Sequence, residues 1–244
     1  MTKLEYIYVD GKVVHVLQTK PSNTEKFGHG YIVHTYHWSI EQVMTGDFSN
    51  DSDNCMDCKY SYTHNDGESG GCYTHYGKIR QGLGSMLRRL QRIQHTFEPF
   101  NKEQFDAFCT MSKSTSPILT RLGIYGDPIL LSEYVTSKLK SISKANTGYS
   151  HRWGTSSHSL SLMASVDSLD EKIEANKCGH RTFRVVLNGD DLQSDEVICP
   201  ASKESKKFVP CSACGLCSGI DNKSDKNIAV VVHGSGSKKV KENK

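Results

Sequence analysis

The spacing of the cysteines constrains this chain more than any other feature of its sequence. Nine cysteines occur among its 244 residues, and an odd number cannot be fully paired in disulfides. The chain starts with charged residues and no apolar leader, which predicts a cytosolic protein whose thiols stay reduced. Seven cysteines fall into two groups with metal-ligand spacing, which are Cys55, Cys58 and Cys72, and then Cys199, Cys211, Cys214 and Cys217.

The C-terminal group has the spacing C-x11-C-x2-C-x2-C. Gaps of two residues let short turns aim neighbouring sulfurs at one centre, and four thiolates satisfy either a 4Fe–4S cluster or a tetrahedral zinc ion. Zinc sites usually show two separated C-x2-C pairs. A triplet with a distant fourth cysteine, here followed by Pro200, favours iron–sulfur. The polar neighbours Ser212 and Ser218 argue against inert core cysteines.

The N-terminal group has the spacing C-x2-C-x13-C and leaves two alternatives open. In the first, His75 completes a Cys3His zinc site, because it follows Cys72 at a further gap of two residues. In the second, three thiolates hold a 4Fe–4S cluster and leave one iron free for a small-molecule ligand. An open iron is what radical chemistry with S-adenosylmethionine requires. The C-x3-C-x2-C signature of that chemistry is absent.

The two remaining cysteines are predicted to be structural. Cys109 lies in a helical pattern beside Phe105 and Phe108, so we expect it in the core. Cys178 comes at the end of a predicted helix, directly before a capping Gly179.

Strand and helix patterns alternate through the middle of the chain, which predicts an α/β fold with parallel strands and crossover helices. A hairpin is expected over 6–17 with its turn at Asp10-Gly11, followed by a loop through 21–23. The expected strands are 31–38, 118–125, 148–153, 161–166, 182–187, 196–199 and 227–233. The expected helices are 78–97, 102–109, 130–143 and 169–177.

This pattern predicts a partial (β/α) barrel-like core with a cysteine-rich, metal-binding C-terminal lobe. Residues 1–44 would form the hairpin and first strand, and 45–190 the core with the first cysteine group. Residues 191–234 would form the four-cysteine lobe, and 235–244 a flexible basic tail. The stretch 45–71 is long and polar, so we expect a metal to organise it.

Candidate ligand-binding residues follow the predicted strands, because ligands of α/β proteins bind at the carboxyl ends of parallel strands. Arg121 and Asp127 flank one strand end, where Gly123 and Gly126 allow a close backbone approach, although an ordinary turn has the same pattern. Three alternating side chains further along are expected on one face of a strand. Together with two side chains of a later strand, they would line the mouth of a barrel. These residues are Tyr149, His151 and Trp153, with Ser165 and Asp167.

Other functional classes find little support in the sequence. The chain has no G-x-S-x-G, H-E-x-x-H or G-x-x-x-x-G-K-[ST] motif, and its longest aliphatic run, 228–232, is too short to span a bilayer. A formal net charge of +3 does not indicate a nucleic-acid partner by itself. Arg88, Arg89 and Arg92 share a helix, where a solvated face is the ordinary interpretation.

Several short motifs occur in a specific order from about residue 55 to 234. They are R-L-G-I-Y-G-D-P at 121–128, T-G-Y-S-H-R-W at 147–153, M-A-S-V-D at 163–167, F-R-V at 183–185, C-P-A-S at 199–202 and C-x2-C-x2-C at 211–217. In these motifs the chain resembles bacteriophage proteins of the "gene product 88" domain family. The resemblance implies a phage protein of the bacterial host cytosol, without implying a reaction. The family is distantly similar to radical S-adenosylmethionine enzymes in its cysteine–tyrosine motif and alternating strands.

Two hypotheses of different kinds follow. In the first, each cysteine group binds a 4Fe–4S cluster, and an open iron near Asp127, His151 and Asp167 permits redox chemistry on a small molecule or nucleic acid. In the second, zinc stabilises both sites of a non-catalytic protein, and the arginine face and lysine tail contact nucleic acid or a host protein.

Overall fold

We describe a computed structural model of the chain, which covers residues 3–56, 58–155, 157–221, 224–234 and 236–242. Within these ranges the strands are β1 Leu4–Asp10, β2 Val13–Thr24, β3 Gly28–Ser39, β4 Leu119–Tyr125, β5 Asn146–Thr147, β6 Tyr149–Ser150, β7 Met163–Val166, β8 Thr182–Val186, β9 Glu196–Ile198 and β10 Asn227–Val231. The helices are α1 Ile40–Thr45, α2 Ser52–Cys55, α3 Gly77–Ile93, α4 Lys102–Ser114, α5 Glu133–Ser141, α6 Leu169–Lys177, α7 Cys211–Cys214 and α8 Ser237–Glu242. None of these helices is long and apolar enough to cross a bilayer.

The first sheet has the order β1-β2-β3-β4-β5, with two antiparallel pairs followed by two parallel ones. The expected hairpin is confirmed, with Asp10 opposite Val13 across the turn. The expected loop at 21–23 is wrong, because β2 continues to Thr24 and stays paired with β3. Pro21 is tolerated there because β1 pairs with β2 only as far as Thr19, so that among the described residues no strand pairs with Pro21 on that side.

The second sheet has the order β6-β7-β8-β10-β9, and all its strands run parallel. The two sheets follow each other at Gly148, the single residue between β5 and β6. A Cβ atom on Gly148 would lie 2.7 Å from Leu162 Cδ2 and 3.1 Å from Leu122 Cβ, so only glycine fits this junction. The α/β class is therefore confirmed, while closure into a barrel stays a prediction.

Helices cover both faces of the first sheet. The expected helix at 78–97 is seen as α3, whose Leu83, Leu87 and Leu90 pack with Trp38 and Tyr125 on one face. The opposite face of the sheet packs against α4 and α5. Its core residues include Leu17, Val33, Phe105, Phe108, Cys109, Leu122 and Leu139. Cys109 is thus confirmed as a core residue, and Cys178 is an exposed residue at the C-cap of α6.

Two expectations about the second half of the chain need correction. The strand expected over 148–153 spans only Tyr149–Ser150, so His151 and Trp153 lie beyond it and share no strand face with Tyr149. The tail expected to be flexible over 235–244 contains α8, where Val240 is buried against Gly71, while residues 235, 243 and 244 lie outside the described residues. The contact is made by an apolar side chain within a lysine-rich stretch. The composition of that stretch does not predict a packed helix.

The four C-terminal cysteines lie in and beside the second sheet. Cys199 follows β9 directly, and the other three lie between it and β10. Because β9 and β10 both pair within this sheet, the segment that carries the cysteines packs on the sheet itself. Cys217 and Cys199 join a cluster with Met163 and Ile228, and Cys211 packs beside Ile32 and Leu119.

Candidate metal centres

The loop that carries the first cysteine group is organised by one buried aspartate. Asp51 accepts hydrogen bonds from the backbone N–H of Tyr62 at 2.8 Å and of Thr63 at 2.9 Å, and from the Thr63 hydroxyl at 2.7 Å. Its carbonyl also accepts from the N–H of Cys55 at 2.8 Å. A carboxylate at the start of the loop therefore supplies the order that the sequence led us to expect from a metal.

Asn54 ties the same loop to the ends of β3 and β4. The side-chain amide of Asn54 donates to the backbone carbonyl of His37 at 2.9 Å. The backbone carbonyl of Asn54 accepts from the N–H of Asp127 at 2.8 Å. Gly126 adopts a φ of +74°, and a Cβ atom there would lie 2.6 Å from the His37 carbonyl oxygen. The cysteine loop thus lies directly over the carboxyl end of β4.

The three thiols of this group lie within range of each other's charge. Burial raises the pKa of Cys58 to about 12 and that of Cys72 to about 11, with smaller contributions from Asp167, Asp127 and Asp51 at Cys58 and from Cys58 at Cys72. Burial also raises the pKa of Cys55, with smaller contributions from Asp51, Cys72 and Cys58. In this state the sulfurs therefore carry their protons.

Donors from the backbone point at two of these sulfurs. The N–H of Tyr60 donates to Cys58, and the N–H of Thr74 donates to Cys72, whose Sγ also lies 3.0 Å from the Thr74 hydroxyl. A neutral thiol is a weak acceptor, whereas a thiolate is a strong one. Donors placed two residues after a cysteine therefore favour its ionised, metal-ligating form.

His75 makes side-chain contacts with two other residues of the same loop. Its Nδ1 lies 2.9 Å from the Ser69 hydroxyl, and its ring stacks on Tyr62 with centroids 4.0 Å apart. Burial lowers its pKa to about 4, so the imidazole is neutral. These contacts hold the ring as part of the loop's own packing.

Asp127 lies at the centre of the strand-end cluster. One carboxylate oxygen accepts from the backbone N–H of His151 at 2.9 Å and the Ser150 hydroxyl at 3.1 Å, and the other caps Ile129 at 3.0 Å. Burial raises its pKa, and these donors oppose the shift. The Nε2 atom of His151 lies 3.2 Å from the Ser165 hydroxyl, so three predicted residues come together across β4, β6 and β7.

Asp167 joins this cluster to the cysteine loop. It accepts a 2.8 Å hydrogen bond from the Tyr60 hydroxyl and pairs with the Lys59 ammonium at 3.2 Å. Its charge, like that of Asp127, raises the pKa of Cys58. Cys58 of the first cysteine group therefore lies near the carboxylates of Asp127 and Asp167.

The second cysteine group is positioned by short turns. Gly215 ends α7 in a left-handed conformation, with φ +63°, and donates to the Cys211 carbonyl at 3.1 Å. Cys211 donates to the carbonyl of Lys26, and Cys199 donates to Ala229 on β10. Burial raises the pKa of Cys211 to about 11, with smaller contributions from Cys199 and Cys214.

Tyr149 connects this second group to the sheet. Its hydroxyl donates to Cys217, whose pKa burial raises to about 12 and whose neighbours include the other three thiols. The N–H groups of Ala201 and Ser202 donate to Cys199. Tyr149 is therefore brought to the second cysteine group and away from Trp153, which packs against Ala164 and Val166.

Arg121 and Tyr73 lie between the two groups. The charge of Arg121 lowers the pKa of Cys211 in the second group, and it lowers that of Tyr73, which follows Cys72 directly. Tyr73 keeps 53 % of its surface accessible, yet surrounding protein raises its pKa to about 12. The Tyr73 hydroxyl donates a 3.1 Å hydrogen bond to the Ile124 carbonyl, which fixes the position of the side chain.

Sequence reasoning missed Lys20 and His34, which lie near Arg121 on β2 and β3. A strand position gives no signal of function to a single lysine or histidine, although the register of neighbouring strands brings them together. Among the residues that the structure describes, no group of three or more His, Cys, Asp or Glu side chains is arranged so that it could hold a metal ion. No family model, curated protein or solved structure matches the chain.

Proposed function

We propose that this chain is an iron–sulfur protein that binds one 4Fe–4S cluster at each cysteine group. The observation that carries the proposal is that the thiols of each group are free of disulfides and lie within range of one another's charge. The ligands would be Cys55, Cys58 and Cys72 in one site and Cys199, Cys211, Cys214 and Cys217 in the other. The thiols of each group would turn toward a common centre when they bind.

The hydrogen bonds to the sulfurs support ligation at both sites. Backbone N–H groups donate to Cys58, Cys72 and Cys199, and the Tyr149 hydroxyl donates to Cys217. Hydrogen bonds of this kind stabilise cysteine-bound clusters and tune their potential. They would otherwise be directed at neutral thiols, which accept weakly.

The first site is the one proposed to support chemistry. A cluster with three protein thiolates has an iron open to a small molecule such as S-adenosylmethionine, and so supplies redox or radical chemistry. Asp127, Ser165 and His151 lie at the adjoining strand ends, where they would orient a substrate by hydrogen bonding. Asp127 already carries two donors on one oxygen, which fixes its direction.

The contacts of His75 are compatible with either three or four ligands at this site. Its Nδ1 lies beside Ser69 and its ring is stacked on Tyr62. A metal-bound histidine commonly ligates through one ring nitrogen and forms a hydrogen bond through the other, so these contacts do not exclude zinc ligation through Nε2. We propose iron–sulfur ahead of the Cys3His zinc site, and we retain the phage origin and host cytosol that the resemblance implies as part of the proposal.

Metal analysis of protein purified without oxygen tests the proposal. We expect a coloured protein with about eight iron atoms per chain, four for each cluster. Cys72→Ser and Cys214→Ser should each remove about half of the iron, since each removes one ligand of one cluster. Cys178→Ser is the matched control, because Cys178 is exposed and belongs to neither group.

The zinc alternative makes opposite predictions. A colourless protein with stoichiometric zinc would overturn the proposal. His75→Ala would then lower the zinc content, whereas it leaves the iron content unchanged if the first site has three thiolate ligands.

A further inference from the structure

Three basic side chains converge on one face of the first sheet, on the adjacent strands β2, β3 and β4. His34 and Arg121 are direct partners in the parallel register of β3 and β4. Lys20 reaches across from β2 to donate a 3.1 Å hydrogen bond to the hydroxyl of Tyr36, two residues beyond His34. The charges of Lys20 and Arg121 both oppose protonation of His34, which confirms that the three groups are close together.

The hydrogen bonds of Tyr36 decide which nitrogen of His34 carries its proton. The ammonium of Lys20 can only donate, so the Tyr36 oxygen is the acceptor of that bond. Apart from Lys20, the only hydrogen-bond partner of the Tyr36 hydroxyl among the described residues is Nδ1 of His34, 3.2 Å away, so pairing the hydroxyl proton places it on this bond. His34 therefore carries its own proton on Nε2, as an N–H donor.

That donor has no acceptor. His34 is 8 % exposed, and its Nε2 atom is buried without a hydrogen-bond partner in the part of the chain that the structure describes. Buried polar groups of native proteins are nearly always paired, so an orphaned one calls for a missing partner. Because Nε2 is a donor here, the missing partner is an acceptor.

The two cations beside His34 also lack an acceptor with negative charge. The guanidinium of Arg121 stacks on the ring of Phe27, 4.1 Å from its centroid, which leaves its N–H edge free to donate. Across the described ranges, neither Arg121 nor Lys20 forms an ion pair with a carboxylate. Two cations and one neutral donor thus lie together without a negatively charged partner among the described residues.

We propose that Lys20, His34 and Arg121 bind an anionic group of a small-molecule ligand, either a carboxylate or a phosphate. Both groups present several acceptor oxygens, and a guanidinium edge matches either of them with two parallel hydrogen bonds. The site goes beyond the proposed clusters and does not depend on the metal. Its position next to Tyr73 and Cys211 places the bound ligand between the two cysteine groups.

The direct test measures anion binding by the full chain. Protein labelled with ¹⁵N in its histidines is titrated separately with inorganic phosphate, acetate and uncharged acetamide, and the His34 Nε2 resonance is followed. We expect a saturable shift with phosphate or acetate, and none with acetamide. The anion that binds more tightly identifies the class of ligand.

Substitutions then assign the binding to these residues. Lys20→Gln and Arg121→Gln should each weaken the binding at least about tenfold, because each removes a charge-assisted hydrogen bond. Lys20→Arg should retain it. The matched controls Lys113→Gln and Arg92→Gln alter exposed side chains on α4 and α3 and should leave the affinity unchanged.

The proposal fails if neither anion shifts the His34 resonance, or if Lys20→Gln, with an unchanged melting temperature, binds as tightly as the wild type. Should Arg121→Gln not fold, Lys20→Gln and Lys20→Arg still decide the question. The readout is anion affinity, so a zinc-bound or metal-free protein would overturn the iron–sulfur proposal without affecting this one.

Discussion

The Nδ1 atoms of His15 and His37 lie 2.8 Å apart in the interior of the first sheet. A hydrogen-bond chain continues from His37 Nε2 to the Thr35 hydroxyl at 3.1 Å, and this hydroxyl accepts from the N–H of Gly123 at 2.8 Å. This chain is complete with both rings neutral. When Thr35 donates to Nε2 of His37, Nδ1 of His37 donates to Nδ1 of His15.

Acid should therefore destabilise the fold. Burial lowers the pKa of His15 from 6.5 to about 4, and it also lowers that of His37. Between about pH 4 and pH 6.5, His15 is protonated in the unfolded chain and neutral in the folded one. The free energy of unfolding therefore falls as the pH drops below about 6.5. For His15 alone the full loss is about 3 kcal/mol at low pH. Urea denaturation at pH 7 and pH 4.5 measures it.

His15→Gln should flatten this pH dependence, because the variant has no imidazole to protonate. His95→Gln alters an exposed histidine and should leave the pH dependence unchanged. An equal loss of stability in His15→Gln and the wild type would contradict the assignment.

Asp51→Ala should unfold the first cysteine loop. Asp51 is fully buried and accepts three hydrogen bonds from Tyr62 and Thr63, all of which would lose their acceptor. We expect a loss of about 2–4 kcal/mol, since each bond to a buried charge contributes about 1.5–3 kcal/mol and the three are not additive. Hydrogen exchange of the Tyr62 and Thr63 amides reports the local effect. Asp47→Ala, at an exposed site, is the control, and unchanged protection in Asp51→Ala would refute the role of Asp51.

Gly126→Ala should be more damaging than an alanine at another glycine of similar conformation. The new Cβ atom would lie 2.6 Å from the His37 carbonyl, in addition to the strain of a φ of +74°. Gly154 has a φ of +83° with nothing within 4 Å, so Gly154→Ala carries the strain alone, about 1 kcal/mol. Chemical denaturation of both variants isolates the clash, and equal losses would show that the loop can move away.

Arg184 and Glu196 form a buried ion pair between β8 and β9. The guanidinium makes two hydrogen bonds to the carboxylate, at 2.7 and 2.6 Å, and Glu196 is fully buried. Glu196→Gln should cost about 3–5 kcal/mol, because it leaves a buried cation uncompensated. The double variant Arg184→Met with Glu196→Gln should recover part of that loss. A double-mutant cycle measures the coupling, and strictly additive losses would contradict it.

Local pattern predicted most of the helices and strands. The hairpin at Asp10-Gly11 follows from a turn dipeptide between β-rich arms, and α6 was expected with the bounds that it has, because apolar spacing and a capping glycine mark its ends. The sequence does not predict the continuation of β2 through Pro21. Residue propensities do not show that the pairing between β1 and β2 stops at Thr19, before the proline is reached.

The spacing of the cysteines along the chain defined the two cysteine groups. Asp127, His151 and Ser165 lie near one another, as expected from the rule that ligands bind at the carboxyl ends of parallel strands. The same reasoning placed Trp153 with them, although it packs against Ala164 and Val166. Tyr149 was expected in one row with His151, and it contacts Cys217 instead. The short strand β6 ends before the alternation can place these side chains on one face.

The sequence by itself determined the α/β class and the two groups of cysteines that we propose as ligands, because both depend on spacing along the chain. Only the tertiary structure brought Lys20, His34 and Arg121 to one place, since they belong to three strands whose pairing and register no local pattern specifies. The unpartnered Nε2 of His34 is likewise a property of the packed interior. Burial excludes the water that would otherwise accept a hydrogen bond from Nε2 of His34. The packed structure therefore shows that this donor needs an acceptor.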